Sequence, residues 1–513
     1  MTCQNGIAPL QLPISNVTVS SDGRSVSRGI EFGIGTPQQI VSLGISLSDS
    51  DTFVFNQAQC NSTVQAICSG RLGGMYDPEA SSSYTKVTRA QWNGTTDKEL
   101  FTAANYIFFQ EHIQYGANIS SSGFPLFMSS GVVESQGGIG LGNASTILTN
   151  TYNTKQSPST AFGLYAGSRS IQSPEDGLLV IGGWDTARVE GDLSDMEYSD
   201  DCPNCFTVDA LTYTTPDGRS ENLITEPLGF QLESAIRTMW VPQDAYDRFT
   251  NFTGATPQAN GSLTMPIDAS LGSLTVRLAN GYESVIPADQ LFTKPRDYNE
   301  KGEYEIYNHE STLVQLQNVT VPDDAVIFAR GVMGLPFLSQ NYIVMDHVKR
   351  QFRMGKAKRS DSNQVLLGAA PDVVIESICP DDDAPPSSSS GSGGGSNAGA
   401  IAGGRRAKAA ATTKPAIAPS SSDEEGQSPP AYEKDPKPAI PTGSPNDPAE
   451  ISPTVVSAGG DDPRYSLSEL PSARDIDGLE GKKVQELPAP MEGEERRVGP
   501  ERKFLQGPVE LPT

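Results

Sequence analysis

Apolar residues in this chain come in short runs that alternate with polar ones, and each run stops at a cluster of Gly, Pro, Asn and Ser. Ile30-Glu31-Phe32-Gly33-Ile34 is one such run and Ala104-Asn105-Tyr106-Ile107-Phe108-Phe109 is another. A period of two puts the apolar side chains of a run on one face of an extended strand, whereas a helix needs spacings of three and four. No long amphipathic helix pattern interrupts the runs up to about residue 375. The expectation is an all-β region, a large sandwich or barrel-like body.

From Cys379 the character changes. Asp381-Asp382-Asp383 leads into a Ser/Gly-rich linker, and Pro, Glu, Ser and Ala then predominate to Thr513. Tyr432, Tyr465 and Phe504 are the aromatics of this stretch, which has no Cys or Trp. Such a composition cannot bury enough apolar surface to offset the entropy of ordering, so residues 380–513 are expected to be disordered. The linker Ser387–Gly404 runs directly into Arg405-Arg406-Ala407-Lys408, a basic stop with no apolar span before it, as if a membrane anchor had been removed.

A formal net charge of −25 argues against a nucleic-acid partner, which needs clustered Lys and Arg for phosphates. No run of 18 apolar residues is present, so no helical membrane span is expected. All six cysteines fall between Cys3 and Cys379. So do eight Asn-x-Ser/Thr triplets, at Asn16, Asn61, Asn93, Asn118, Asn143, Asn251, Asn260 and Asn318, and none follows. Together they point to an extracellular or cell-surface glycoprotein with disulfides. Met1–Gly6 lacks the apolar core of a signal peptide, as in a mature form or a chain whose leader was lost.

Cys60 and Cys68 sit close enough in sequence for a local disulfide. Cys202-Pro203-Asn204-Cys205 has the spacing of a redox pair or half a zinc site, but no second C-x-x-C accompanies it. His112, His309 and His347 are far from it, so a structural role is expected and no metal or cofactor. Cys3 and Cys379 bracket the region, free to pair with each other or with the C-x-x-C cysteines. Gln136-Gly137-Gly138-Ile139-Gly140-Leu141-Gly142 is no nucleotide loop, because no Lys-Ser/Thr follows and the βαβ setting is missing.

Gly33-Ile34-Gly35-Thr36-Pro37-Gln38-Gln39 begins a second kind of signal: a turn, an apolar strand, a polar loop, then Phe53-Val54. It resembles the first active-site segment of pepsin-like aspartic proteases. Tyr76–Tyr84, Gln136–Gly142, Gly177–Gly191, Val332–Leu338 and Tyr342–Asp346 resemble further signatures of that family, so the likeness runs from about residue 28 to 357. Phe230–Pro242 resembles the second active-site segment. The resemblance implies two β lobes, residues 1–185 and 186–379, related by a pseudo-twofold axis, with a cleft between them, in a monomer. It also supports the Cys60–Cys68 bridge. On its pattern Trp92, in Gln91-Trp92-Asn93-Gly94, stands where a flap hairpin would carry its tyrosine over the cleft; the alternative is that Trp92 packs beside a surface turn.

Counted from Pro37 or back from Phe53-Val54, the first catalytic aspartate of the family falls on Ser46, in Ser46-Leu47-Ser48; counted from Pro242, the second falls on Glu233, followed by Ser234 and Ala235. Aspartic proteases need two carboxylates sharing one proton, one as base to water and the other as acid to the carbonyl. Ser46 supplies neither, and loss of a positioned acid/base alone costs about 10²–10⁴ in rate. Asp49 or Asp51 would reach the vacant role only with a gap in a segment that aligns from both ends, and no G-x-S-x-G elbow or histidine supports Ser46 as nucleophile. The expectation is a non-catalytic member whose cleft holds a peptide, protein segment or glycan. The competing expectations are an acid endopeptidase using Glu233 with a substitute acid, and a wall or adhesion protein with no cleft ligand.

Overall fold

The computed structural model describes residues 3–4, 6–60, 62–94, 106–115, 119–129, 136–258, 261–266, 268–318, 330–359 and 373–379. The expected disordered tail, and Asn61, Asn118 and Asn260, lie outside them. The described region is a β protein, as the alternating runs predict. In Leu10–Thr18 the apolar Leu10, Leu12 and Ile14 are buried and the intervening Gln11 and Pro13 are exposed. Asn341–Asp346 is buried at every position, because it lies in the middle of a sheet covered on both faces.

The larger sheet has thirteen strands. One end runs Val189–Met196, Gln351–Ala357, Asn341–Asp346, Phe162–Tyr165, Gly177–Ile181 and Leu10–Thr18, so strands from the last part of the region pair with strands of the first half. Ile375–Ser377 likewise returns to pair with Gly183–Asp185. A second sheet of eight strands belongs to the latter half and centres on Cys205–Thr214 and Leu228–Leu232. One continuous apolar core, from Phe32 and Phe124 to Phe230 and Phe337, runs through both.

The two halves repeat one unusual arrangement of strands. Gln39–Ser46 lies parallel to Gly138–Gly140, which is flanked on its other side by Thr52–Phe53, itself parallel to Ile119–Ser129. Leu228–Leu232 lies parallel to Gly331–Met333, flanked by Met239–Val241, itself parallel to Leu316–Asn318. In each half the loop between the first and third strands passes over a glycine at the end of the second strand. A Cβ on Gly140 would come within 2.5 Å of the Asp49 carbonyl oxygen, and one on Gly334 within 2.0 Å of that of Thr238. Bare backbones at these points let the loops 46–51 and 233–238 come down onto the strand ends beneath them.

Three disulfides close the structure: Cys60–Cys68, Cys202–Cys205 and Cys3–Cys379. The local bridge predicted for Cys60 and Cys68 forms, and the C-x-x-C cysteines pair with each other. Short helices, not picked out from the sequence pattern, punctuate the strands. The longest, Gln243–Thr253, starts after Pro242, buries Ala245, Tyr246 and Phe249, and ends at Gly254 in the left-handed region. Its apolar spacing of three to four is helical but lasts barely three turns.

Candidate functional site

Ser46 ends the strand Gln39–Ser46 and Glu233 follows the strand Leu228–Leu232. The repeated strand order brings these two ends together across 187 positions of sequence: Ser46 Oγ donates to Glu233 Oε2 at 3.2 Å. Both side chains are buried. The pair found by counting from Pro37 and Pro242 is therefore a pair in space.

The extra methylene of Glu233, relative to aspartate, carries its carboxylate into the loop of the other half. There Oε1 accepts from the Leu47 N–H at 3.0 Å and, from its own loop, the Ala235 N–H at 2.9 Å. Oε2 accepts from the Ser48 N–H at 3.1 Å, the Ser46 hydroxyl and the Ser48 hydroxyl. Five protein donors thus occupy a group with about four lone-pair sites. Burial pushes the Glu233 carboxyl above the usual range; the donors Ala235, Ser48 and Leu47 oppose the shift, and the charge of Asp49 adds to it.

Ser46 is committed in turn. Its Oγ accepts from the Asp49 N–H at 3.0 Å, closing a serine turn that caps the loop. Ser234 supplies a direct side-chain tie between the loops, its hydroxyl donating to the Ile45 carbonyl at 2.8 Å. The corresponding position in the first loop is Leu47, whose side chain cannot reciprocate. Instead the Leu232 carbonyl accepts from Asn204 Nδ2 at 2.6 Å, inside the Cys202–Cys205 bridge.

Of the two acids near Ser46, Asp51 is fully buried and accepts from the Thr146 hydroxyl at the start of the helix Thr146–Asn153. Asp49 is only half-buried by exposed area, and burial, opposed by Ser46 and helped by Asp51, pushes its carboxyl upward. None of the three histidines approaches Ser46 through a hydrogen bond among the described residues: His112 pairs with Ser122, and His347 with Leu141 and Tyr198.

Trp92 is placed differently from a hairpin-tip residue. Its N–H closes a turn on the Thr88 carbonyl, and its ring is buried 4.8 Å from Phe108 and 6.1 Å from Phe127. An indole that buries this much apolar surface is held in a packed cluster, with Phe53 beside it, and the Asn93-Gly94 pair next to it belongs to no described hairpin. Of the triplet asparagines in the described residues, Asn16, Asn93, Asn143 and Asn251 are exposed, and Asn318 is partly so.

The sequence profile of the eukaryotic aspartyl proteases matches residues 29–357, well over half of the chain, and the protein belongs to that family. No curated protein matches it significantly. Among the described residues no group of His, Cys, Asp and Glu is arranged to hold a metal, and no helix is long and apolar enough to cross a membrane.

Proposed function

We propose that this chain is a non-catalytic aspartic-protease homologue, secreted or displayed at a cell surface as a glycoprotein. Its interlobe cleft, in this reading, holds a peptide, protein segment or glycan without cleaving it. One observation carries the reading: the only family-aligned carboxylate, Glu233, has all its acceptor sites taken by Leu47, Ala235, Ser46 and Ser48. A carboxylate so engaged has no lone pair left to take a proton from water, and Ser46 has no carboxyl with which to share one. The three disulfides and the exposed triplet asparagines support a secretory-pathway origin.

A second reading rests on Asp49, whose charge acts on Glu233 and whose own carboxyl is raised. In it the two acids form an irregular dyad and the protein is an acid endopeptidase. Incubation of the purified full chain with an unfolded protein between pH 3 and 5 separates the two. The non-catalytic reading expects no fragments; cleavage that disappears in Glu233→Gln overturns it. Asp49→Asn then tells whether Asp49 is the partner acid.

A further inference from the structure

Four cationic side chains converge on one cavity of about 110 Å³. Arg169 comes from the loop after the strand Phe162–Tyr165, and Arg237 from the loop that begins at Glu233. Lys294 and Arg296 follow the strand Phe292–Thr293. The volume is well above the roughly 10–15 Å³ that a single water needs, so a small anion fits.

Among the described residues the sole carboxylate on the wall is Asp289, and it is engaged already by the Ser173 hydroxyl and by Gln290 Nε2 at 3.1 Å. Two of the cations have neutral company. Arg296 donates to the Arg169 carbonyl at 3.0 Å and lies over the Tyr304 ring, and Lys294 Nζ reaches the Thr312 hydroxyl at 3.0 Å. Among the described residues none of the four is in an ion pair. Burial, followed by the charge of Arg237, pushes the Arg169 guanidinium below its ordinary range.

In a chain of net charge −25, four cations gathered around one hollow repel each other at a cost that an anion between them would reverse. Three of the four are arginines, whose planar forks match a pair of anionic oxygens. We propose that this cavity is a binding site for an oxyanion, a carboxylate or phosphate group, gripped by Arg169 and Arg237 and backed by Lys294 and Arg296. The site stands whether or not the cleft hydrolyses peptides. It is nonetheless attached to the central loops: Arg237 lies four positions beyond Glu233, and Leu335 and Pro336, also on the wall, come just after the Gly334 on which Ile236 and Thr238 rest.

The test is calorimetric titration of the purified full chain at low, fixed ionic strength. One arm uses inorganic phosphate; the other uses a blocked Glu-Glu dipeptide with blocked Gln-Gln as its control. Saturable binding is expected in at least one arm, with a rise in melting temperature that Arg169→Gln/Arg237→Gln abolishes. Phosphate without dipeptide marks a free-oxyanion site; Glu-Glu without Gln-Gln marks a peptide carboxylate. The double variant, freed of like-charge repulsion, should also melt higher than the parent when no anion is present, which a merely structural pair of arginines would not do. No saturable binding in either arm below about 10 mM overturns the proposal. So does an equal melting rise in parent and variant, which is the mark of general solute exclusion. If the double variant fails to fold, titration of the parent decides alone, and Arg237→Lys, keeping charge without the fork, should bind more weakly.

Discussion

Ser46→Asp would restore the first family carboxylate, and the structure says what should follow. The Ser46 hydroxyl lies 3.2 Å from Glu233 Oε2, so a carboxyl at position 46 faces the Glu233 carboxyl at close range. Two unit charges about 4 Å apart interact by about 4 kcal/mol at an effective dielectric of 20. Like charges so close cannot both ionise, so one member of the pair is expected to hold its proton well above the usual carboxylate range. The sign follows from linkage. A folded-state pKa raised above the unfolded value of about 4 gives stability that is complete below about pH 4 and lost as pH rises through the folded value. The variant should therefore match the parent at pH 4 and fall behind it by up to about 4 kcal/mol at pH 8, roughly 5 °C in melting temperature for a folded region of this size. Thermal melts of parent and Ser46→Asp at half-unit pH steps give the comparison. Parallel curves would refute the reasoning, because the two side chains would then not share one electrostatic site.

Ser234→Ala removes the hydroxyl donated to the Ile45 carbonyl and should cost about 1 kcal/mol in a denaturant titration, leaving the Glu233 donors in place. Gly140→Ala drives a methyl against the Asp49 carbonyl and the Ser50 backbone, and a loss of about 1–3 kcal/mol is expected, with altered pH dependence of the melt as Ser48 shifts. His347 is held below its ordinary pKa by burial, its Nε2–H donating to Leu141 at 2.9 Å while Nδ1 accepts from Tyr198 at 3.1 Å. A depressed pKa means stability present above about pH 6.5 and lost as pH falls through the folded value. His347→Gln should flatten that acid-side loss, read from melts between pH 7 and 4; an unchanged slope would assign the loss elsewhere.

Much of this was legible in the residues. Period-two runs marked the strands, and counting from Pro37 and Pro242 placed Ser46 and Glu233 at equivalent points. Local spacing also foretold the Cys60–Cys68 bridge. What escaped depends on groups far apart in the chain. That Glu233 reaches the Leu47 and Ser48 amides follows from one methylene and from two glycines at strand ends that let the loops descend, and neither is visible in a single segment. Trp92 sits beside an Asn-Gly pair with hairpin chemistry, yet the ring is claimed by Phe108 and Phe127, which only the strand register brings alongside. Cys3 and Cys379 had two ways to pair until the return of Ile375–Ser377 to Gly183–Asp185 set them side by side. The cation cavity is drawn from separate loops, and no run of basic residues announces it.

The Cys3–Cys379 bond also decides how the fold answers to mechanical force. Ile375–Ser377 hangs on Gly183–Asp185 by three residue pairs, a grip that a pull on the chain beyond Cys379 would peel open one pair at a time. With the bond in place, the load divides at Cys379. One share reaches that short edge; the other crosses to Cys3 and arrives at Leu10–Thr18, a strand paired on both sides with Gly177–Ile181 and Val26–Ile34. Tension is thus delivered to the interior of the largest sheet, where pairs must shear together, and a reducing environment would hand it all to the three-residue strand Ile375–Ser377.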